Sequence, residues 1–204
     1  MILETIQMIV VLLVAVILHE YSHGWVAYRL GDPTAKMMGR LTLNPLRHID
    51  PMGSIAVPFL LKMAHLPPFG WAKPVPVDFR RLRNPKIDMI WVAMAGPLTN
   101  IVLAAFFGLL LKFVPLAEQG QHFLSLGIVI NLFLAFFNLV PIPPLDGSRV
   151  VMGLLPNQVA RFYSQLEPFG FIIVLVLLNF GMLDFVWELV SFVMGHLWGL
   201  SLNA

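Results

Sequence analysis

An almost unbroken apolar run opens the chain and ends in a group of ionisable residues. The run extends from Met1 to Leu18, and residues 19–23 read HEYSH. On a helix, this HExxH spacing places two imidazoles, His19 and His23, one turn apart on the same face. Such a pair is typical of zinc ligands, and the intervening Glu20 is suited to act on a metal-bound water. We therefore expect a metal site within or at the edge of a bilayer.

The composition agrees with a membrane protein. Of the 204 residues, 58% are hydrophobic and 12% are charged, whereas soluble domains carry about 45–50% apolar and about 25% charged residues. The mean hydropathy is +0.82, and several stretches reach the roughly 20 apolar residues that a spanning helix needs. The formal charge of +2 is too small to indicate nucleic-acid binding. Because cysteine is absent from the sequence, a metal would need His, Asp or Glu ligands.

Long apolar stretches flank one segment that is rich in proline and glycine. We predict an all-α polytopic membrane protein with about five to six transmembrane helices, forming a single membrane-embedded domain over residues 1–204. A small membrane-associated β-hairpin or re-entrant region is predicted over 32–87, because short extended stretches lie there between repeated prolines. The remaining transmembrane helices are expected within 88–200. The predicted apolar helices cover 3–30, 88–114, 122–140, 169–182 and 184–200.

The distribution of basic residues predicts the orientation. Nine of the thirteen Lys and Arg residues lie between positions 33 and 87, and the positive-inside rule places that region on the cytoplasmic side. The apolar run 49–63 is short, so we expect it to be re-entrant, interfacial or a partial span. Helix 122–140 then delivers Asp146 to the membrane face that carries the histidine pair. A full crossing by 49–63 would place Asp146 on the opposite face. We therefore expect a multi-pass cell-membrane protein with its active site toward the cytoplasm.

The third metal ligand has several candidates. A catalytic zinc usually keeps three protein ligands and an open position for water. Asp146 is favoured because it follows a proline-rich break after an apolar helix, and Gly147 permits a tight turn there. Its alternative role is to cap the short helix that follows. His122 and His196 are interpreted as structural or interfacial residues. The candidates for the third ligand are His48, Asp50, His65 and Asp146.

Two carboxamides, Asn100 and Asn138, lie within apolar helices. Each could form a helix–helix hydrogen bond, which contributes on the order of 1 kcal/mol in a membrane. Each could instead stabilise a reaction oxyanion or support a metal ligand. We favour a catalytic role for Asn138, which lies eight residues before Asp146. Both interpretations stay open for Asn100.

Three motifs together resemble the site-2 protease family of intramembrane zinc metalloproteases. They are HEYSH at 19–23, GPLTN at 96–100, and the pattern N-x-x-P-x-P-x-L-D-G at 138–147. The resemblance covers nearly the whole chain. It implies that His19, His23 and Asp146 bind one zinc ion per chain and that Glu20 is the general base. It also implies short membrane-associated strands in region 32–80, where a substrate could pair as an added strand. The chain resembles a minimal member without a PDZ or CBS domain.

The predicted function is that of an intramembrane zinc-dependent endopeptidase, which cleaves transmembrane segments in regulated intramembrane proteolysis. Zinc would lower the pKa of its water toward about 7, and Glu20 would move the proton to the leaving amine. Asn138 would stabilise the oxyanion. The expected partners are a transmembrane protein substrate and the lipid bilayer, without nucleic acid, and self-association is left open. The alternative is a zinc transporter or metal-sensing membrane protein without peptidase activity, which would not need Glu20.

Overall fold

The computed structural model describes residues 2–66 and 70–200, and its regular structure within these ranges is helical. The prediction of an all-α protein is confirmed for this part of the chain. Short 3-10 turns cover Pro45–Arg47, Phe79–Arg81 and Glu167–Phe169, and a π-helical turn covers Pro51–Ala56. The α-helices are α1 (Ile2–Arg29), α2 (Thr34–Met37), α3 (Val57–Met63), α4 (Pro85–Phe113), α5 (Glu118–Leu139), α6 (Asp146–Leu154), α7 (Asn157–Ser164), α8 (Gly170–Asn179) and α9 (Phe185–Trp198).

Helix length supports fewer spans than the five to six predicted. Among the described residues, four helical segments are long and apolar enough to cross a membrane. Helix α9 has 14 residues, and the turn and helix of Pro51–Met63 have six and seven residues. At about 1.5 Å per residue, thirteen helical residues extend about 20 Å, less than the roughly 30 Å of a hydrocarbon core. The four long segments are Ile2–Arg29, Pro85–Phe113, Glu118–Leu139 and Asn157–Asn179.

The predicted β-hairpin is corrected, because the described part of region 32–87 contains no strand. Residues 70–78, which we call the covering segment, form neither helix nor strand. Pro74 and Pro76 interrupt it and carry no N–H group, so a regular β-ladder cannot form along it. Four of its other backbone N–H groups bond to surrounding loops and side chains, and one of these, from Val75, is described with the metal centre below. The other three bonds join Trp71 N–H to the Gly53 carbonyl (3.1 Å), Lys73 N–H to the His48 carbonyl (2.8 Å) and Asp78 N–H to the Asp32 carboxylate (2.7 Å).

Helix α4 lies at the centre of the bundle and packs against α1, α5 and α6. Its buried face carries residues without large apolar side chains at intervals of three or four positions. Such residues let helix backbones approach closely in a membrane, where van der Waals contact and interhelical hydrogen bonds replace the hydrophobic effect. The close approach brings α4 against the part of α1 that carries His19 and His23. The residues of this face are Ala93, Gly96, Asn100, Ala104 and Gly108.

Candidate metal centre

The three side chains predicted to bind zinc converge, although His19 and Asp146 are 127 positions apart. The Nε2 atoms of His19 and His23 lie 3.0 Å from each other. They lie 3.1 Å and 3.3 Å, respectively, from Oδ2 of Asp146. Donor atoms that are each about 2.0–2.1 Å from a tetrahedral zinc lie about 3.3 Å apart. The observed separations therefore fit one zinc ion, and this is the single such group of His, Asp or Glu residues found in the described ranges.

Helix α1 sets the spacing of the two imidazoles, and a second contact fixes the orientation of each ring. His19 Nδ1 lies 2.6 Å from Oδ1 of Asn100. His23 Nδ1 lies 2.6 Å from the backbone carbonyl of Val92. In both rings Nδ1 therefore faces an acceptor on α4, and Nε2 faces Asp146. This arrangement leaves both Nε2 lone pairs directed to the same point.

Asp146 reaches this point because α6 begins directly against the end of α5. A Cβ atom at Gly147 would overlap the carbonyl oxygen of Leu139. A glycine is thus required here for a close approach of the two backbones. The sequence had suggested a tight turn instead, but Gly147 is not among the glycines with positive φ. The alternative role of Asp146 as a helix cap is not observed, since Leu145 occupies the N-cap position of α6 and Asp146 is the first residue within the helix. Burial raises the pKa of the Asp146 carboxyl, but when the two imidazoles are protonated, their charge and hydrogen bonds outweigh burial and hold that pKa below its ordinary value.

Glu20 lies beside the three ligand candidates in a cleft of about 620 Å³. One carboxylate oxygen, Oε2, accepts a hydrogen bond of 2.8 Å from the backbone N–H of Val75. Val75 stands between Pro74 and Pro76, so it is the sole backbone donor of this tripeptide. The covering segment thereby holds the glutamate at the wall of the cleft. This contact could not be inferred from the sequence, because the donor is a backbone group.

Asn138 also lines the cleft, and its amide nitrogen donates to the Leu134 carbonyl at 2.9 Å. The remaining candidates for a third ligand stay outside the metal group. His48 is buried and its Nε2 lies 2.8 Å from the Thr42 carbonyl. Asp50 caps the turn that begins at Pro51. His65 lies in an exposed turn with positive φ, and His122 and His196 also lie outside the metal group.

Two carboxamides, Asn100 and Asn131, lie behind the metal group; the sequence left the role of Asn100 open, and Asn131 was not predicted. Asn100 contacts a ligand candidate directly, through the 2.6 Å bond to His19. Asn131 on α5 lies behind it, and its Oδ1 accepts a 2.8 Å hydrogen bond from Nδ2 of Asn100. A sequence signal for Asn131 existed, because it is a further carboxamide in an apolar helix, seven residues before Asn138.

Comparison with known proteins assigns the chain to a family. A sequence model of Peptidase family M50 matches residues 7–119 and 115–179. YwhC of Bacillus subtilis (strain 168), named as a candidate zinc metalloprotease, is 42% identical over 83% of this chain and 78% of its own length. Rip2 of Mycolicibacterium smegmatis, named in the same way, is 35% identical over 81% of this chain and 64% of its own length. This chain therefore spans just under two thirds of Rip2. No solved structure gives a significant match.

The metal group, the apolar helices and these relatives agree. The four long apolar helices indicate a multi-pass membrane protein. The group formed by His19, His23 and Asp146 has the donor atoms and spacing that zinc prefers. Zinc is also the metal in the names of the similar proteins. The chain belongs to Peptidase family M50, the site-2 protease family of zinc metalloproteases.

Proposed function

We propose that this protein is an intramembrane endopeptidase that cleaves transmembrane segments of other membrane proteins. The observation that carries the proposal is the position of the metal group and Glu20 in one cleft among apolar helices. Apolar side chains from α1, α5 and α8 line that cleft together with the covering segment, and they suit an apolar polypeptide. The lining includes Val16, Trp71, Leu134, Phe137 and Phe171.

The chemical roles follow from the donor groups in the cleft. His19, His23 and Asp146 would hold one zinc ion per chain, and zinc when bound supplies Lewis-acid activation of water and of a peptide carbonyl. Glu20 accepts a proton from the attacking water and delivers it to the leaving amine. The Val75 N–H keeps the Glu20 carboxylate at the cleft during both transfers. Since a helix uses its own carbonyl groups in hydrogen bonds, the substrate must unwind locally before its scissile bond reaches these groups.

Asn138 is proposed as the oxyanion donor. An amide nitrogen carries two N–H groups, and the bond to Leu134 uses one of them. We expect Asn138→Leu to lower kcat by about 10²–10³-fold, the effect of losing one oxyanion donor, with an unchanged affinity for zinc. The measurement is kcat for a transmembrane substrate together with the dissociation constant of zinc. A variant with the wild-type kcat would exclude Asn138 from the reaction.

We further propose that the chain forms one membrane-embedded unit whose active site faces the cytoplasm. Arg29 lies in the last turn of α1, beyond the metal ligands. Arg80 and Arg81 lie in the turn that follows the covering segment. These cations belong to the membrane end that carries the cleft, and the positive-inside rule favours the cytoplasm for that end. Labelling of cysteines introduced at Arg29 and Glu118 in intact cells tests this orientation, because the two positions would react from opposite sides.

Metal removal tests the peptidase proposal against the zinc-transporter alternative. The purified protein is reconstituted in liposomes with a single-span substrate, and products are identified by mass spectrometry. We expect cleavage to stop when a membrane-permeant chelator removes zinc and to resume when zinc is restored. Zinc flux, followed with an enclosed fluorescent indicator, is expected to match that of protein-free liposomes. Flux without cleavage would contradict the proposal and favour a transporter.

A further inference from the structure

A buried chain of hydrogen bonds connects the metal group to the backbone of a third helix. Three side chains form it, one each from α1, α4 and α5: His19, Asn100 and Asn131. Asn100 is 0% exposed and Asn131 is 1% exposed. We propose that Asn131 is a positioning residue that acts through Asn100 to keep the proton of His19 on Nδ1, which leaves the Nε2 lone pair free for a metal. This inference rests on the proposed role of His19 as a zinc ligand, and it is independent of the substrate.

The geometry begins at the backbone of α5. Nδ2 of Asn131 donates to the carbonyl of Gly127 at 2.8 Å. Oδ1 of Asn131 accepts from Nδ2 of Asn100, also at 2.8 Å. Oδ1 of Asn100 lies 2.6 Å from Nδ1 of His19. A second bond, of 3.3 Å, joins Nδ2 of Asn100 to the carbonyl of Ala15 on α1.

The direction of every bond in this chain is determined by chemistry. A carbonyl oxygen only accepts and an amide nitrogen only donates, so the Gly127 carbonyl requires the nitrogen of Asn131 to face it. The oxygen of Asn131 then faces Asn100, which must present its own nitrogen. The oxygen of Asn100 is consequently turned to His19. Nδ1 of His19 must therefore carry the proton, and Nε2 keeps the lone pair that a metal needs.

A reversed Asn100 amide would have the opposite effect. Its N–H would then point at Nδ1 of His19 and favour the tautomer in which Nε2 is protonated. That tautomer cannot bind a metal through Nε2. The Asn131 oxygen opposes this reversal, because it would then face the oxygen of Asn100. His23 needs no such chain, since its Nδ1 faces the backbone carbonyl of Val92, which cannot reverse.

The test is the affinity for zinc, measured on the purified protein by competition with a chelator of known affinity. Partners that orient a metal ligand typically contribute about 10–100-fold to metal affinity, and we expect about a tenfold loss in Asn131→Leu. The visible absorption spectrum of the Co²⁺-loaded protein is expected to change as well, because it reports the ligand geometry. Asn131→Ala removes the same amide without added branching and is measured alongside, in case the leucine variant does not fold.

Two further variants separate positioning from general packing. Ile128→Ala removes a fully buried side chain from the same helix, and we expect its zinc affinity and Co²⁺ spectrum to match the wild type. The double variant Asn100→Leu with Asn131→Leu is expected to lose no more affinity than Asn100→Leu alone, because Asn131 acts through Asn100. The inference is overturned by wild-type affinity in both Asn131 variants, by an equal loss in Ile128→Ala, or by additive losses in the double variant. None of these measurements depends on peptide cleavage. A failure of this inference can therefore be distinguished from a failure of the peptidase proposal.

Discussion

Glu20→Gln is expected to lower the peptidase rate by about 10²–10⁴-fold, the usual contribution of a general acid–base group, while zinc stays bound. Glutamine has nearly the same shape as glutamate, and its side-chain oxygen can still accept the N–H of Val75, which bonds to Glu20 at 2.8 Å. The side chain should therefore stay at the wall of the cleft and lose only its ability to take a proton. The measurements are kcat for a reconstituted transmembrane substrate and the zinc content of the purified variant.

A matched control for this substitution is Glu188→Gln, which makes the same chemical change on an exposed position of α9. We expect its rate and zinc content to equal those of the wild type. If Glu20→Gln kept the wild-type rate, Glu20 would not be the base. If the variant lost both activity and zinc, the glutamate would support the metal group instead of the proton transfer.

Gly96→Ala is expected to remove most of the zinc affinity by adding a single methyl group. Its Cβ would lie 2.5 Å from Nε2 of both His19 and His23, which is far inside van der Waals contact. The rings cannot easily turn away, because both Nδ1 atoms bond to groups on α4. Overpacking costs about 1–3 kcal/mol, and about 1.4 kcal/mol corresponds to a tenfold change in affinity. We therefore expect a loss of up to about 100-fold, measured as the dissociation constant of zinc.

Gly195→Ala provides the control for this methyl group. Gly195 is also helical, and the nearest atom to a Cβ there is the Leu200 carbonyl oxygen at 4.0 Å. We expect the control to keep the wild-type zinc affinity, since alanine is accommodated without contact. Retention of the wild-type affinity in Gly96→Ala would mean that α1 and α4 can separate at the metal group without cost, which would contradict the close packing described above.

Much of the candidate site could be predicted because its signals are local. The HExxH spacing fixes His19 and His23 on one face of any helix, whatever surrounds it. The prediction of Asp146 required a longer argument, in which the number of membrane crossings decides at which face of the membrane α5 ends. That argument depended on 49–63 being too short to span, and the short helices of Pro51–Met63 agree with it.

The rest of the site depends on contacts between distant segments. The covering segment contains β-branched residues and prolines, which suggested a hairpin, but strand formation also needs a partner with free backbone groups. Here Trp71 and Lys73 bond to loop carbonyls and Val75 bonds to Glu20. The role of Asn131 could not be predicted either, since a carboxamide in an apolar helix indicates a buried hydrogen bond but does not identify the residue that it bonds to. The predicted number of spans exceeds the four long apolar helices of the described residues, because apolar stretches were counted without the breaks that limit their helices.

The separation of 127 positions between His19 and Asp146 also has a consequence for biosynthesis. A ribosome adds about 5–20 residues per second, so roughly 6–25 seconds pass between synthesis of the two residues. Throughout this interval the nascent chain has two of the three proposed ligands and lacks the carboxylate. The proposed ligand set is complete only after α6 has been translated and docked against α5. If the protein cleaves within the membrane as proposed, it therefore has no complete metal centre while its own helices are being inserted.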